Sequence, residues 1–398
     1  MVIIIFSCFT AKMQSQTNST SPSMEIYGYI MTDIGYNFDQ IQEDWYDVVR
    51  PTKLPSFENQ YGTNGNMYFS VRQTRLGFKN YIDTSMGEVK THFDFDLFGT
   101  GLNAGQTIFR FRSAYAEIGQ FGVGQTDSPF MDGDVFPNIL EYWGPSGMVG
   151  FRNVQIRFMP IQGDTRLTIA LERPGASADQ GVYNNRIELD GVNPRFSVPD
   201  LSAEYRYGAT WGYVEIAGIV RRIEWVDQND DEFNLSGDAV GWGLSLSTNL
   251  KVGAKDVFRG QLVYGEGVEN YMNDAPVDIG IKTNFSNPAS PVKGVALPVL
   301  GIVAFLDHSW NEKFSSSLGY SMINIENSDG QTDDAFHKGQ YIAGNLLYYP
   351  AKNVMAGVEF QWSNRENFND GWETSMSKIQ FSFKYNFSEI FYKKQQPN

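Results

Sequence analysis

The sequence predicts an all-β protein, a transmembrane antiparallel β-barrel of about 16 strands with one loop folded inward to constrict the lumen. Three observations predict this fold. Apolar and polar residues alternate along most of the chain, aromatic residues make up 15% of it, and clusters of Gly, Asn, Asp and Pro interrupt the alternation. Alternation places side chains on opposite faces of a strand, and a membrane-spanning strand needs one face for lipid and one for a watery lumen.

The last strand shows the alternation most clearly. Its apolar face holds Ile379, Phe381, Phe383, Tyr385 and Phe387, and its polar face holds Lys378, Gln380, Ser382, Lys384 and Asn386. The same period appears in six further segments, which are 89–97, 109–117, 201–207, 240–247, 314–322 and 354–363. In the segment 109–117 the pattern places Phe109, Phe111 and Tyr115 on the apolar face and Arg110 and Arg112 on the polar face.

A soluble all-β binding protein, such as a propeller, is the alternative from another class. Its strands would average about 5–6 residues, whereas many segments here alternate for longer and carry aromatic residues near their ends, as at a membrane interface. A propeller would also repeat itself every 40–50 residues or so, and no such repeat occurs. A mean hydropathy of -0.34 argues against a helical membrane protein.

The predicted organisation is a signal peptide at 1–16, a polar linker at 17–24, the barrel at 25–387 and a polar tail at 388–398. The location expected is the outer membrane of a Gram-negative bacterium, in contact with its lipid. Cys8, the only cysteine, falls in the signal segment. It is either part of a removed signal or, less favourably, a lipidation site.

The charge and the residue inventory exclude several functions. A net charge of -15 argues against nucleic-acid binding, which needs a basic face. With three histidines, His92, His308 and His337, triads and zinc sites have few possible members, so neither an enzyme, a metal nor a cofactor is expected. The acidic run 227–232 is interpreted as a solvated loop, with a surface calcium site as the alternative.

A group of arginines is the first candidate for function. They are Arg72, Arg75, Arg110, Arg112, Arg152, Arg157 and Arg206. An arginine facing lipid at mid-depth costs about 2–4 kcal/mol, so these side chains are expected in the lumen, as a basic wall that binds anions. The alternative is that they pair with acids such as Asp94, Asp96 and Glu117 and brace the barrel. Arg72 and Arg75 have opposite parity, so a regular strand cannot turn both toward the lumen.

The second candidate is the segment 126–150, which has no alternation but contains prolines, carboxylates and large apolar residues. A long irregular segment in a compact fold is usually functional. Folded inward, it would form an eyelet in which four acids face the arginines. These acids are Asp127, Asp132, Asp134 and Glu141. The alternative is a loop that folds outward.

Four stretches of sequence resemble the DcaP-like outer-membrane porins. They are Arg72-Gln-Thr-Arg-Leu-Gly-Phe-Lys79, the segment Gly87-Glu-Val-Lys-Thr, the segment 111–126 and Tyr142-Trp-Gly-Pro-Ser-Gly-Met148. The resemblance implies a homotrimer of 16-stranded barrels that takes up small hydrophilic, often anionic solutes such as dicarboxylates. It also implies a constriction lined by Arg72, Arg75, Arg110, Arg112 and Arg157. A general diffusion porin without a preferred solute is the alternative.

Overall fold

Sixteen antiparallel spans close into one barrel in the computed structural model, which describes residues 23–392. The spans are β1 (Ser23–Asn37), β2 (Asn66–Ser70) with β3 (Arg75–Thr84) as two halves of one span, β4 (Gly87–Phe98), β5 (Thr107–Ile118), β6 (Phe121–Asp127), β7 (Arg152–Ile161), β8 (Arg166–Glu172), β10 (Asp200–Ala209), β11 (Gly212–Asp227), β12 (Gly237–Lys251), β13 (Asp256–Glu266), β16 (Pro298–Asn311), β17 (Phe314–Ile325), β18 (Phe336–Ala351), β19 (Val354–Asn367) and β20 (Glu373–Tyr392). Strand β9 (Val192–Arg195) pairs with the end of β11, and β14 (Ile279–Thr283) and β15 (Val292–Ala296) form a separate hairpin. The predicted fold class is confirmed.

Pairing of the first and last strands closes the barrel. Strand β1 pairs with β20 from Ser23–Tyr392 to Asn37–Lys378, and on its other side it pairs with β2 and β3. The described part of the barrel thus runs from Ser23, inside the predicted linker, to Tyr392, beyond the predicted end at 387. The predicted signal segment 1–16, with Cys8, lies outside the described residues, as do the last six residues of the predicted tail.

Burial is inverted relative to a soluble protein. Outward-facing residues such as Leu244, Phe381 and Phe383 are exposed, while lumen-facing Asp94 and Gln361 are buried. An apolar belt around a polar interior suits a barrel in lipid and excludes the soluble alternative. Among the described residues no helix is long and apolar enough to cross a membrane.

The two ends of the barrel differ. Turns of two to four residues join the strands at one end, where Ser23 and Tyr392 also lie. The other end carries the long connections, which are 38–65, 99–106, 128–151, 173–199, 228–236, 267–297, 326–335 and 368–372. Short turns face the periplasm and long loops face the medium in outer-membrane barrels.

One face assignment made from the sequence is wrong. Asp94 pairs with Ser113 but Phe95 pairs with Phe111, so Arg112 is an extra residue in β5, a β-bulge. A bulge shifts the following residues to the opposite face. Tyr115, predicted on the outer face, therefore points into the lumen, where the Arg157 guanidinium lies 5.1 Å from the centre of its ring.

The connection 128–151, here named the constriction loop, folds inward and crosses the lumen. Its backbone N–H groups donate to side chains of the far wall, from Val149 to Gln261 Oε1 (3.0 Å) and from Gly147 to Ser321 Oγ (2.9 Å). A Cβ at Gly147 would lie 2.0 Å from the carbonyl oxygen of Met322, so only glycine permits this approach. The predicted inward fold is confirmed, and the alternative of an outward loop is excluded.

Candidate functional site

A cavity of about 640 Å³ lies between the constriction loop and the wall formed by β1, β3, β4 and β5. The loop contributes Phe136, Pro137 and Ile139 on one side. The wall side is strongly basic. Its cations are Arg75, Arg110, Arg112, Arg152 and Lys384. The constriction loop crosses the lumen beside this cavity.

Buried aspartates on β4 hold three of these arginines. Asp94 Oδ1 accepts from Arg75 Nε at 2.7 Å. Asp96 accepts from Arg110 Nε at 3.0 Å and from Arg112 Nη1 at 2.7 Å. Both aspartates are buried, whereas the arginines keep part of their surface in the cavity. The arrangement combines both interpretations of the sequence, since the arginines brace the wall and also line the lumen.

Tyr142 of the constriction loop contacts two of these arginines and Asp96. Its hydroxyl accepts from Arg112 Nη1 at 2.6 Å, contacts Arg110 Nη2, and donates to Asp96. Burial raises the pKa of Tyr142, so the hydroxyl keeps its proton and remains a donor. Its ring stacks on Phe98 at 4.3 Å between centroids. The constriction loop therefore contacts both guanidinium groups and the carboxylate that they share.

Arg72 lies apart from the cavity. It sits in the break between β2 and β3, which removes the parity conflict with Arg75. Its side chain is fully buried, pairs with Asp47 Oδ1 at 2.7 Å and donates to the carbonyl of Gly99 at 3.0 Å. The buried Arg72 guanidinium therefore links the long connection 38–65 to the barrel wall.

The other predicted arginines occupy three further places. Arg152 lines the cavity and pairs with Asp127 at 2.9 Å. Arg157 donates to the backbone carbonyl of Asp127 at 2.6 Å and lies outside the cavity lining. Arg206, on β10, is buried and binds Asp132 of the constriction loop at 2.7 Å.

The four acids predicted to form the eyelet do not lie together, and Asp127 is the last residue of β6 rather than part of the constriction loop. Only Asp127 faces the arginine wall with an exposed carboxylate. Asp132 and Asp134 both pair with Arg206 on the opposite wall. Glu141 is buried and pairs with Lys378 of β20 at 2.8 Å. Three of the four acids therefore anchor the loop, and the structure gives the cavity one exposed carboxylate among its lining residues.

Two lysines of β20 were missed as site residues. Lys378 is fully buried and anchors the loop through Glu141, and Lys384 is half-buried and lines the cavity. Their signal was present in the alternation of the last strand, where both fall on the polar face. Because barrel closure puts β20 next to β1, that face lies close to the arginines of β3 and β5.

The histidines lie outside any metal-like arrangement among residues 23–392, which contain no group of three or more His, Cys, Asp or Glu placed to hold an ion. His92 contacts the Tyr27 hydroxyl at 2.5 Å within the lumen wall. His308 pairs with Asp256 at 2.6 Å at the turn end of the barrel.

Solved structures of outer-membrane proteins share this architecture. The outer membrane channel DcaP of Acinetobacter baumannii matches with a TM-score of 0.75 and 20% identity, over 93% of this chain and 99% of that one. An anion-selective porin from Comamonas acidovorans matches with a TM-score of 0.58 and 10% identity, over 92% and 100%. The trimer form of OmpT from Vibrio cholerae matches with a TM-score of 0.54 and 10% identity, over 92% and 100%. No protein with a curated description matches.

A family model, that of the DcaP outer membrane protein, matches residues 8–387. This range includes the whole constriction loop and all the arginines discussed above. The chain therefore belongs to the DcaP outer membrane protein family and is a porin-type β-barrel of the Gram-negative outer membrane.

Proposed function

We propose that this chain forms a water-filled channel through which small hydrophilic anions, such as dicarboxylates, diffuse preferentially. The observation that carries the proposal is the charge around the cavity. Five cations and two carboxylates line it, and the ion-pair partners of the lining residues add Asp94, Asp96 and Lys378. Two positive charges remain unmatched.

Anion preference follows from the position of these charges. A wide barrel leaves an aqueous path, and the charges at its narrowest part decide which ions enter. The chain as a whole carries -15, but charges more than about 10 Å from the path are largely screened at 0.1 M salt. The local excess of positive charge therefore outweighs the overall negative charge. Guanidinium groups also offer carboxylates paired hydrogen bonds.

The purified protein in a planar bilayer is expected to give stepwise conductance and, across a KCl gradient, a zero-current potential of the sign for chloride preference. Added dicarboxylate should lower the chloride current by competing for the same arginines. A channel with equal permeability for both ions would favour the general diffusion porin. A protein that gives no conductance steps would contradict the channel itself.

A homotrimer is the proposed assembly, supported by the structural similarity to OmpT, which was solved in a trimer form. Light scattering of the unheated protein in detergent should give three times the mass of the mature protomer after correction for detergent. Boiling should convert it to single chains. A protomer mass before heating would contradict the assembly and leave the channel proposal unaffected.

A further inference from the structure

We infer that Lys384 is a selectivity-determining residue of the channel, because it supplies one of the two unmatched positive charges at the constriction. The inference rests on the proposed function and specifies which residue gives the channel its preference. The arginines are the more conspicuous cations in the sequence, but carboxylates neutralise most of their charge. Lys384 forms no ion pair with any carboxylate of residues 23–392.

Strand register places Lys384 at the level of the arginines. Lys384 pairs with Met31, and Tyr29, the next lumen-facing residue of β1, pairs with Arg75. Arg75 pairs in turn with Asp96, and Asp96 with Arg110. Neighbouring strands are about 4.8 Å apart, so these residues form one belt around the cavity. Lys384 stands at one end of the belt and Arg110 at the other.

The surroundings of Lys384 leave its charge unpaired. Among residues 23–392 it forms no ion pair, and its Nζ lies 5.1 Å from the centre of the Tyr29 ring. Asp33, the acid on the adjacent strand β1, is buried and bonded instead to Gln73, Gln380 and Ser382. The Lys384 ammonium is thus held over an aromatic ring and open to the cavity.

The arginines differ from Lys384 in their charge balance. Arg152 is matched by Asp127, while Arg75, Arg110 and Arg112 share two carboxylates, those of Asp94 and Asp96. A guanidinium paired with a carboxylate presents a dipole, whose field falls off faster than that of a single charge. Lysine adds a compact charge on a flexible stem, which can follow a passing anion. One unmatched charge therefore belongs to the group of Arg75, Arg110 and Arg112, and the other belongs to Lys384.

The test compares zero-current potentials of three variants in KCl gradients. K384M removes the charge and keeps a side chain of similar length, while K384R keeps the charge. K313M removes a charge from the turn 312–313, outside the cavity. One charge about 8 Å from an ion in water changes its local concentration roughly twofold, and oppositely for anions and cations. K384M should therefore lower the chloride-to-potassium permeability ratio by about two- to sixfold, with K384R and K313M close to wild type.

The outcomes separate the inference from the proposed function. A wild-type channel that prefers chloride, with K384M unchanged, overturns the role of Lys384 and leaves the proposed function standing. An equal loss in K313M overturns it as well, because the effect would then be one of total charge. A wild-type channel without anion preference overturns both. Heat-modified gel mobility shows that each variant is folded, and K384Q replaces K384M if that variant is not.

Discussion

Replacing Arg110 and Arg112 together by alanine will abolish the anion preference of the channel and bring its zero-current potential close to zero. Both guanidinium groups line the cavity, and both form an ion pair with the carboxylate of Asp96. Their removal takes two positive charges from the constriction and leaves Asp96 without a cation, with only the Tyr142 hydroxyl and the Phe98 N–H as donors. The excess of two charges falls to none, so chloride and potassium should pass with similar ease.

The triple variant R110A/R112A/D96N is the matched control. It removes the carboxylate together with the arginines, so one positive charge in excess remains and part of the chloride preference should return. It also avoids leaving a buried charge without a partner, which would strain the β4–β5 wall. Zero-current potentials of the wild type, the double and the triple variant should therefore fall in the order of their net charge. A double variant with the potential of the wild type would show that these arginines only brace the barrel.

The barrel could be predicted from the sequence because its signal is local. Each strand has to alternate on its own to face lipid and water at once, and segments such as 354–363 do so without reference to their neighbours. The inward fold of the constriction loop was also predictable, from its length and its lack of alternation. Alternation gave a wrong or conflicting face at two places where the backbone is irregular. These are the bulge that turns Tyr115 inward and the break between β2 and β3 that contains Arg72.

The partners of the charged residues could not be predicted, because they depend on contacts across the barrel. Nothing in the spacing of Asp132 indicates that it crosses the lumen to Arg206, 74 residues later in the chain. Glu141 reaches Lys378 over a separation of 237 residues. The sequence therefore predicted that arginines and acids matter near this loop, while the structure divides them into those that line the cavity and those that anchor the loop.

The anchor between Glu141 and Lys378 leads to the largest expected effect on stability. K378M should lower the free energy of unfolding by about 3–5 kcal/mol, since it leaves a buried carboxylate without its cation. Both side chains are fully buried, and Lys378 Nζ lies 2.8 Å from Glu141 Oε2. Glu141 would retain two backbone donors, the N–H groups of Val49 at 3.0 Å and of Trp143 at 3.2 Å. Urea unfolding in lipid vesicles measures the loss.

The stability of K378M should also depend on pH, in the direction opposite to that caused by a carboxylate whose pKa is lowered on folding. Burial already raises the pKa of Glu141 in the loop, and the loss of Lys378 removes the main opposing interaction. The folded variant then holds a proton that the unfolded chain releases near the ordinary glutamate pKa. Its stability should be highest at acid pH and fall as pH rises from that value through the raised pKa. K378M/E141Q, with neither charge, should recover most of the stability and lose this dependence; a double variant no more stable than K378M would refute the ion pair as the anchor of the constriction loop.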